Sequence, residues 1–154
     1  MDWLTQLLQN PFLITSVSSW AIAQVLKVII NAAVHRKMDW SRLFGDGGMP
    51  SGHSATVSSL AVFTALACGP GSFQFAVTAI LAIIVCHDAT GVRQETGKQA
   101  VVLNELMKHF EDLFNPETTE KELKELVGHT PLQVAAGVVL GIANAFFMYY
   151  VVFS

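Results

Sequence analysis

The chain has 154 residues, 52% of them hydrophobic and only 14% charged, with a formal net charge of -3. Its mean hydropathy of +0.47 lies outside the range of ordinary soluble domains and points to a small integral membrane protein. The few charges form no basic stripe to neutralise a phosphate backbone, so nucleic acid is not an expected partner.

No Ser/Pro-rich linker, low-complexity tract or repeat marks a boundary, and residues 1–154 read as one domain. The first ten residues carry no positive segment ahead of an apolar core, so the apolar run that follows is expected to stay as an anchor rather than be removed as a signal peptide. That run, about 11–34 (PFLITSVSSWAIAQVLKVIINAAV), is long enough to cross roughly 30 Å of hydrocarbon and holds one ionisable residue, Lys27. A second run, about 54–68, ends at a GPGS reversal, and a third, about 73–88, follows it, which predicts a helical hairpin. Both are short for spans and would also suit buried helices of a soluble core. The fourth run, about 131–153, favours the membrane reading.

Before that last run comes a helical insertion, about 94–128. In it, LNELMKHFEDLF puts Leu103, Leu106, Met107, Phe110, Leu113 and Phe114 on one face, the pattern of a helix lying on the membrane or on the bundle. Thr119 and Glu122 have capping-box spacing ahead of a short helix that Gly128 would end. The expected fold is all-α: an integral membrane four-helix bundle with an amphipathic helical insertion before the last span.

Cys68 and Cys86 fall at opposite ends of the hairpin and read as small buried hydrophobes; metal-ligand Cys/His spacing is absent, and no metal or cofactor is expected. His35, His87 and His109 read as solvated or helix-end histidines. Gly137, Gly141 and Ala145 form a small-residue seam for helix packing. With four antiparallel spans, all nine Lys and Arg residues fall on or next to one face, which the positive-inside rule makes cytoplasmic.

That face also carries MPSGHS, HDATGVRQETGKQ and GHTP. Gly47 and Gly48 allow a tight turn, Pro50 or Ser51 opens the second helix, and the N–H groups of Ser51, Gly52 and His53 are expected to point outward, an anion-binding helix start. Thr130 and Pro131 open the last helix in the same way, with His129 at its positive end. Lys27, roughly two turns inside its span, and Arg93 are cations near the same face, so the segments together describe a phosphate pocket. Asp88 and the polar residues after it read as part of the pocket rather than as a solvated rim.

At this point PSGH (50–53), the earlier lysine and GHTPLQVAAG resemble the phosphatidic-acid phosphatase type 2 superfamily, which includes vanadium haloperoxidases. AQVLK, GGMPSGHSA, DATGVRQETGKQA and GHTPLQVAAGVVLG together resemble its divergent branch, small bacterial and plant membrane proteins whose function is poorly defined. The resemblance implies that Ser51 and Gly52 bind phosphate oxygens, that His53 protonates the leaving group, that His129 is the nucleophile forming a phosphohistidine, and that Lys27 is the first-motif lysine. It also implies a hydrolase of a lipid phosphate or diphosphate, acting in a cell membrane among membrane lipids, with vanadate as a probe. The alternative is a non-catalytic membrane protein that keeps the anion pocket for lipid-phosphate binding, lipid handling or assembly. Oligomeric state is left open, a homo-oligomer included.

The chain departs from the superfamily pattern in two places. The first-motif Arg-Pro would fall at Val34, and the nearest arginines, Arg36 and Arg42, lack a following proline. In the third motif, Ser-Arg is replaced by Glu122-Leu123, and the carboxylate four residues after the histidine by Gln133. Arg93 is the expected substitute guanidinium, and Asp88 the group expected to orient a histidine.

Overall fold

The computed structural model describes residues 2–36, 48–109 and 129–153, with the side chains of all of these except residues 35, 92–94, 108 and 109. A short helix, α1 (Trp3–Leu8), leads in. Asn10 then opens α2 (Pro11–His35): its side-chain oxygen accepts from the N–H groups of Phe12 and Leu13, and Pro11 takes the first helical position, where a missing N–H costs nothing. Helix α3 (Gly52–Cys68) is capped by Ser51, whose Oγ accepts from Ser54 N–H. It ends at Gly69, whose φ of +84° suits a residue without a Cβ. Ser72 caps α4 (Phe73–Thr90), and after a break at Gly91 the chain continues as α5 (Val92–His109). Thr130 caps α6 (Pro131–Phe147), and a π-helical turn, Met148–Val152, extends it.

No strand occurs among the described residues, and the protein is an all-α bundle of apolar helices. Three stretches, Pro11–Val34, Phe73–Met107 and Pro131–Val152, are long and apolar enough to cross a membrane; α3, with 17 residues, is shorter. Residues 110–128, which hold the second half of the expected amphipathic face and the Thr119–Glu122 capping box, lie outside the described residues.

Polarity runs the opposite way from a soluble bundle. Thr15, Ser19, Ser54, Ser59 and Thr64 are buried, whereas Phe73, Ile80, Ile83, Leu132 and Val139 are exposed. Such a surface is stable in lipid, where apolar side chains gain nothing by turning inward and helices associate through small residues and polar contacts. Several of the buried hydroxyls are satisfied within their own helix: Ser16 donates to the Phe12 carbonyl and Thr64 to that of Leu60, each four residues back.

Helix α3 is the hub, packed against α2, α4 and α6, while α4 leaves most of its surface to lipid. Along the α3·α6 seam the backbones come close. A Cβ on Gly137 would collide with the Ser51 carbonyl oxygen, and one on Gly141 with that of Ala55. The expected small-residue seam is therefore a helix contact, received by Ser51, Ser54, Ala55 and Ser58 on α3. At the end away from the histidines the helices are held apart by aromatics, with Phe63 edge-on to Phe12 at 5.2 Å and to Tyr149 at 5.8 Å. Between the two ends, Asn144 on α6 donates to the Thr15 carbonyl, Ser18 Oγ and Ser19 Oγ of α2 at 3.2, 3.0 and 2.7 Å.

Candidate functional site

Two helix starts meet at the glycine end of the seam. Ser51 N–H donates to the Gln133 carbonyl at 2.9 Å, and His129 N–H donates to the Ala89 carbonyl at the end of α4 at 3.1 Å. These two backbone bonds tie the heads of α3 and α6 to the last turn of α4. One expectation is corrected by them: Ser51 N–H is not available to a ligand, because α6 lies close enough to take it. Gly52 N–H, the next along, has no acceptor among the described residues.

The same stitching brings the two histidines together. Their ring centroids are 6.1 Å apart with planes at 84°. His129 is buried to 2% exposure, while His53 is exposed. Both stand at helix N-termini, where unpaired N–H groups and the helix dipole favour an anion.

On the other side of α3 runs α2. Its Lys27 is 5% exposed, and the aliphatic stem lies against the turn before α3: a Cβ on Gly48 would sit 3.8 Å from Cγ and Cδ of Lys27. Gly48 adopts φ +103°, so glycine is needed here for backbone shape. One turn back on the same face, Gln24 and Trp20 abut Gly52; a Cβ there would meet Trp20 Cδ1 at 3.3 Å and Gln24 Oε1 at 3.8 Å. Since α2 continues from Gln24 to His35, it overshoots the head of α3 by about 16 Å at 1.5 Å per residue. The site therefore lies against the flank of α2, recessed from its end.

Lys27, Ser51, Gly52, His53 and His129 thus gather at one end of the bundle. Asp88 is half-buried in the last turn of α4, next to the Ala89 carbonyl that holds His129. Arg36 ends α2 in a left-handed conformation (φ 52°) and is exposed. Arg93 falls in the first turn of α5, but its side chain is outside the described set, and Arg42 lies outside the described residues altogether. Gln133, which stands where the superfamily has a carboxylate, uses Oε1 to accept from Thr130 N–H at 3.1 Å, while its own N–H donates to Thr130 Oγ1. That amide oxygen closes a capping box and is not turned to the histidine.

From His53 an apolar groove of about 340 Å³ runs between α2, α3 and α4, lined by Val17, Trp20, Thr56, Val57 and Val85. Sequence reading missed Gln24 and Trp20, although the spacing Trp20, Gln24, Lys27 places all three on one helical face and would have found them.

The sequence profile of the Divergent PAP2 family matches residues 8–144. The uncharacterized membrane protein YuiD of Bacillus subtilis (strain 168) is 46% identical over 146 residues, covering 89% of this chain and 92% of that protein. No solved structure matches the chain. With its lipid-facing apolar helices, its paired histidines at two helix heads and a family match over nearly its whole length, this membrane protein belongs to the divergent PAP2 family.

Proposed function

We propose that the protein is a membrane phosphatase that hydrolyses a lipid phosphate or diphosphate through a phosphohistidine. The observation that carries this reading is the meeting of His53 and His129 at the heads of two helices, with Lys27 buried in the helix alongside. Phosphoryl transfer needs little from a protein beyond an in-line nucleophile, a proton for the leaving oxygen, and cations or N–H donors around the equatorial oxygens. Here a ring nitrogen of His129 attacks phosphorus, the ester P–O bond breaks, and its electron pair stays on the leaving oxygen, which takes a proton from His53. Neutral His53 then removes a proton from water as the water oxygen displaces His129, releasing inorganic phosphate and restoring both rings. The apolar groove that starts at His53 gives a lipid chain a place beside the head group, which supports a lipid over a soluble ester. The one-sided placement of Lys and Arg supports a site open to the cytoplasm.

A second reading, an anion-binding protein without turnover, is favoured by Gln133. Its amide oxygen is committed to the α6 cap, and no carboxylate stands four residues after His129 to stabilise an imidazolium. Phosphate release from a panel of lipid phosphates by the purified protein, with His129→Ala as control, separates the two. Release that the substitution abolishes supports the phosphatase. Vanadate binding with no release from any lipid phosphate supports the second reading.

A further inference from the structure

We propose that Gln24 is a phosphate-binding residue of this site, its carboxamide NH2 donating to an oxygen of the bound phosphoryl group beside Gly52. The assignment rests on the phosphate-site reading above and adds to it a ligand that the family motifs do not contain. Gln24 is 7% exposed, in the middle of a helix that faces lipid on its other side. Its Oε1 is buried and has no hydrogen-bond partner among the described residues. A buried amide in that state is costly, and such groups in native proteins are normally paired. Nearby hydroxyls do not serve it: Thr56 Oγ1 donates to the Gly52 carbonyl and Ser54 Oγ to Ser51 Oγ.

The position of Gln24 suggests its partner. Oε1 lies 3.8 Å from where a Cβ of Gly52 would be, and Gly52 is the first residue of a 17-residue helix whose N–H at that point lacks an acceptor among the described residues. Lys27, one turn on, is held against Gly48 in the same turn. An anion seated on the head of α3 therefore has the Gln24 carboxamide at its α2 side. Half a turn about the last side-chain torsion exchanges oxygen for NH2 within the same shape, which gives the anion two further N–H donors. A hydroxyl or a carboxylate would not serve equally, because the former is too short to reach from α2 and the latter would repel the phosphate.

Orthovanadate binding to the full-length protein in detergent, followed by titration calorimetry, tests this. Gln24→Met keeps length and removes both donors; Gln24→Glu keeps shape and adds a negative charge. Both are expected to weaken vanadate binding, by about 10- to 100-fold for Met and by more for Glu. Thr15→Val, which removes another buried group of α2 about 14 Å along the helix from Gln24, is expected to leave affinity unchanged. Wild-type affinity in both Gln24 variants overturns the assignment and leaves the phosphate site standing. Absence of vanadate binding in the wild-type protein overturns both. Should Met and Glu prevent folding, Gln24→Asn, which keeps the amide but withdraws it by one methylene, must also bind more weakly, and wild-type affinity there refutes the role.

Discussion

The two histidines differ in exposure, and in the proposed reaction that difference suits them to different roles. His129, at 2% exposure, sits where a phosphohistidine would be shielded from random hydrolysis; exposed His53 can exchange protons with solvent. His129→Ala is therefore expected to abolish both turnover and the phosphoenzyme detected after a rapid acid quench. His53→Ala should slow turnover by about 100- to 10,000-fold, the usual cost of losing a general acid, while still binding vanadate. Full turnover in His129→Ala would remove it as nucleophile. The missing guanidinium can be located in the same assay. Arg93→Lys should weaken vanadate binding, because a single ammonium cannot replace a planar fork that contacts two oxygens. Unchanged affinity there, with a loss in Arg36→Lys or Arg42→Lys, would place the cation after α2 instead. The histidines and Lys27 were legible in the sequence because each sits in a local pattern: a glycine-rich helix start, a Thr-Pro cap, one charge in an apolar run. Gln24 was legible only in part: its spacing from Lys27 puts it on the same helical face, but its contact with Gly52, 28 residues later, appears only in the packed structure. Gln133 was read by its distance from His129, whereas its amide oxygen is decided by the cap three residues before it.

Among the elements, α6 governs whether the site exists at all, since its glycine seam holds the head of α3 in place. Two kinds of contact fix α6, and their magnitudes rank them. Gly137→Ala drives a methyl into the Ser51 carbonyl, a backbone atom that cannot swing aside, so the helices must separate; overpacking of this kind costs about 1–3 kcal/mol, and the upper end is expected. Asn144→Ala removes an amide whose two N–H bonds are shared among Thr15, Ser18 and Ser19, yet interhelical hydrogen bonds in membranes average only about 0.6 kcal/mol. Unfolding in mixed detergent should thus show Gly137→Ala as the more destabilising change. Only Gly137→Ala should also lower vanadate affinity, because it parts Ser51 from Gln133 and so His53 from His129. The reverse order of stabilities would mean that the polar network, not close approach, holds α6. The seam itself was legible as glycine spacing, but not its partner: the serine-rich face of α3 looks the same whether it meets α2, α4 or α6, and only the three-dimensional packing selects α6.

At the scale of the molecule, the site's position relative to the bilayer decides which substrates can reach it. Helix α3 is only about 25 Å long at 1.5 Å per residue, less than the roughly 30 Å hydrocarbon core, and α2 runs on past its head. The proposed substrate needs a charged head that reaches the two helix starts and an apolar part that fits the groove from His53. Which leaflet supplies it follows from topology. The nine Lys and Arg residues lie at Lys27, at 36–42 and from 93 to 124, whereas the residues before Lys27, the turn at 69–72 and the residues after 124 carry none. On the proposed topology, the positive-inside rule would put the α2–α3 connection, α5 and the site in the cytoplasm, with the Gly69–Ser72 turn outside. Single-cysteine labelling of sealed cells tests this, in a background lacking Cys68 and Cys86. Gly71 is exposed with open space where a side chain would go, and Gln99 is exposed on α5, so a cysteine at either position leaves the packing intact. Gly71→Cys should react with an impermeant thiol reagent added from outside; Gln99→Cys should react only after permeabilisation. The opposite pattern would turn the protein over and make a lipid phosphate of the outer leaflet the substrate to seek. Labelling of both in sealed cells would mean that α4 does not cross, and that the charge asymmetry reflects a surface rather than a side of the membrane.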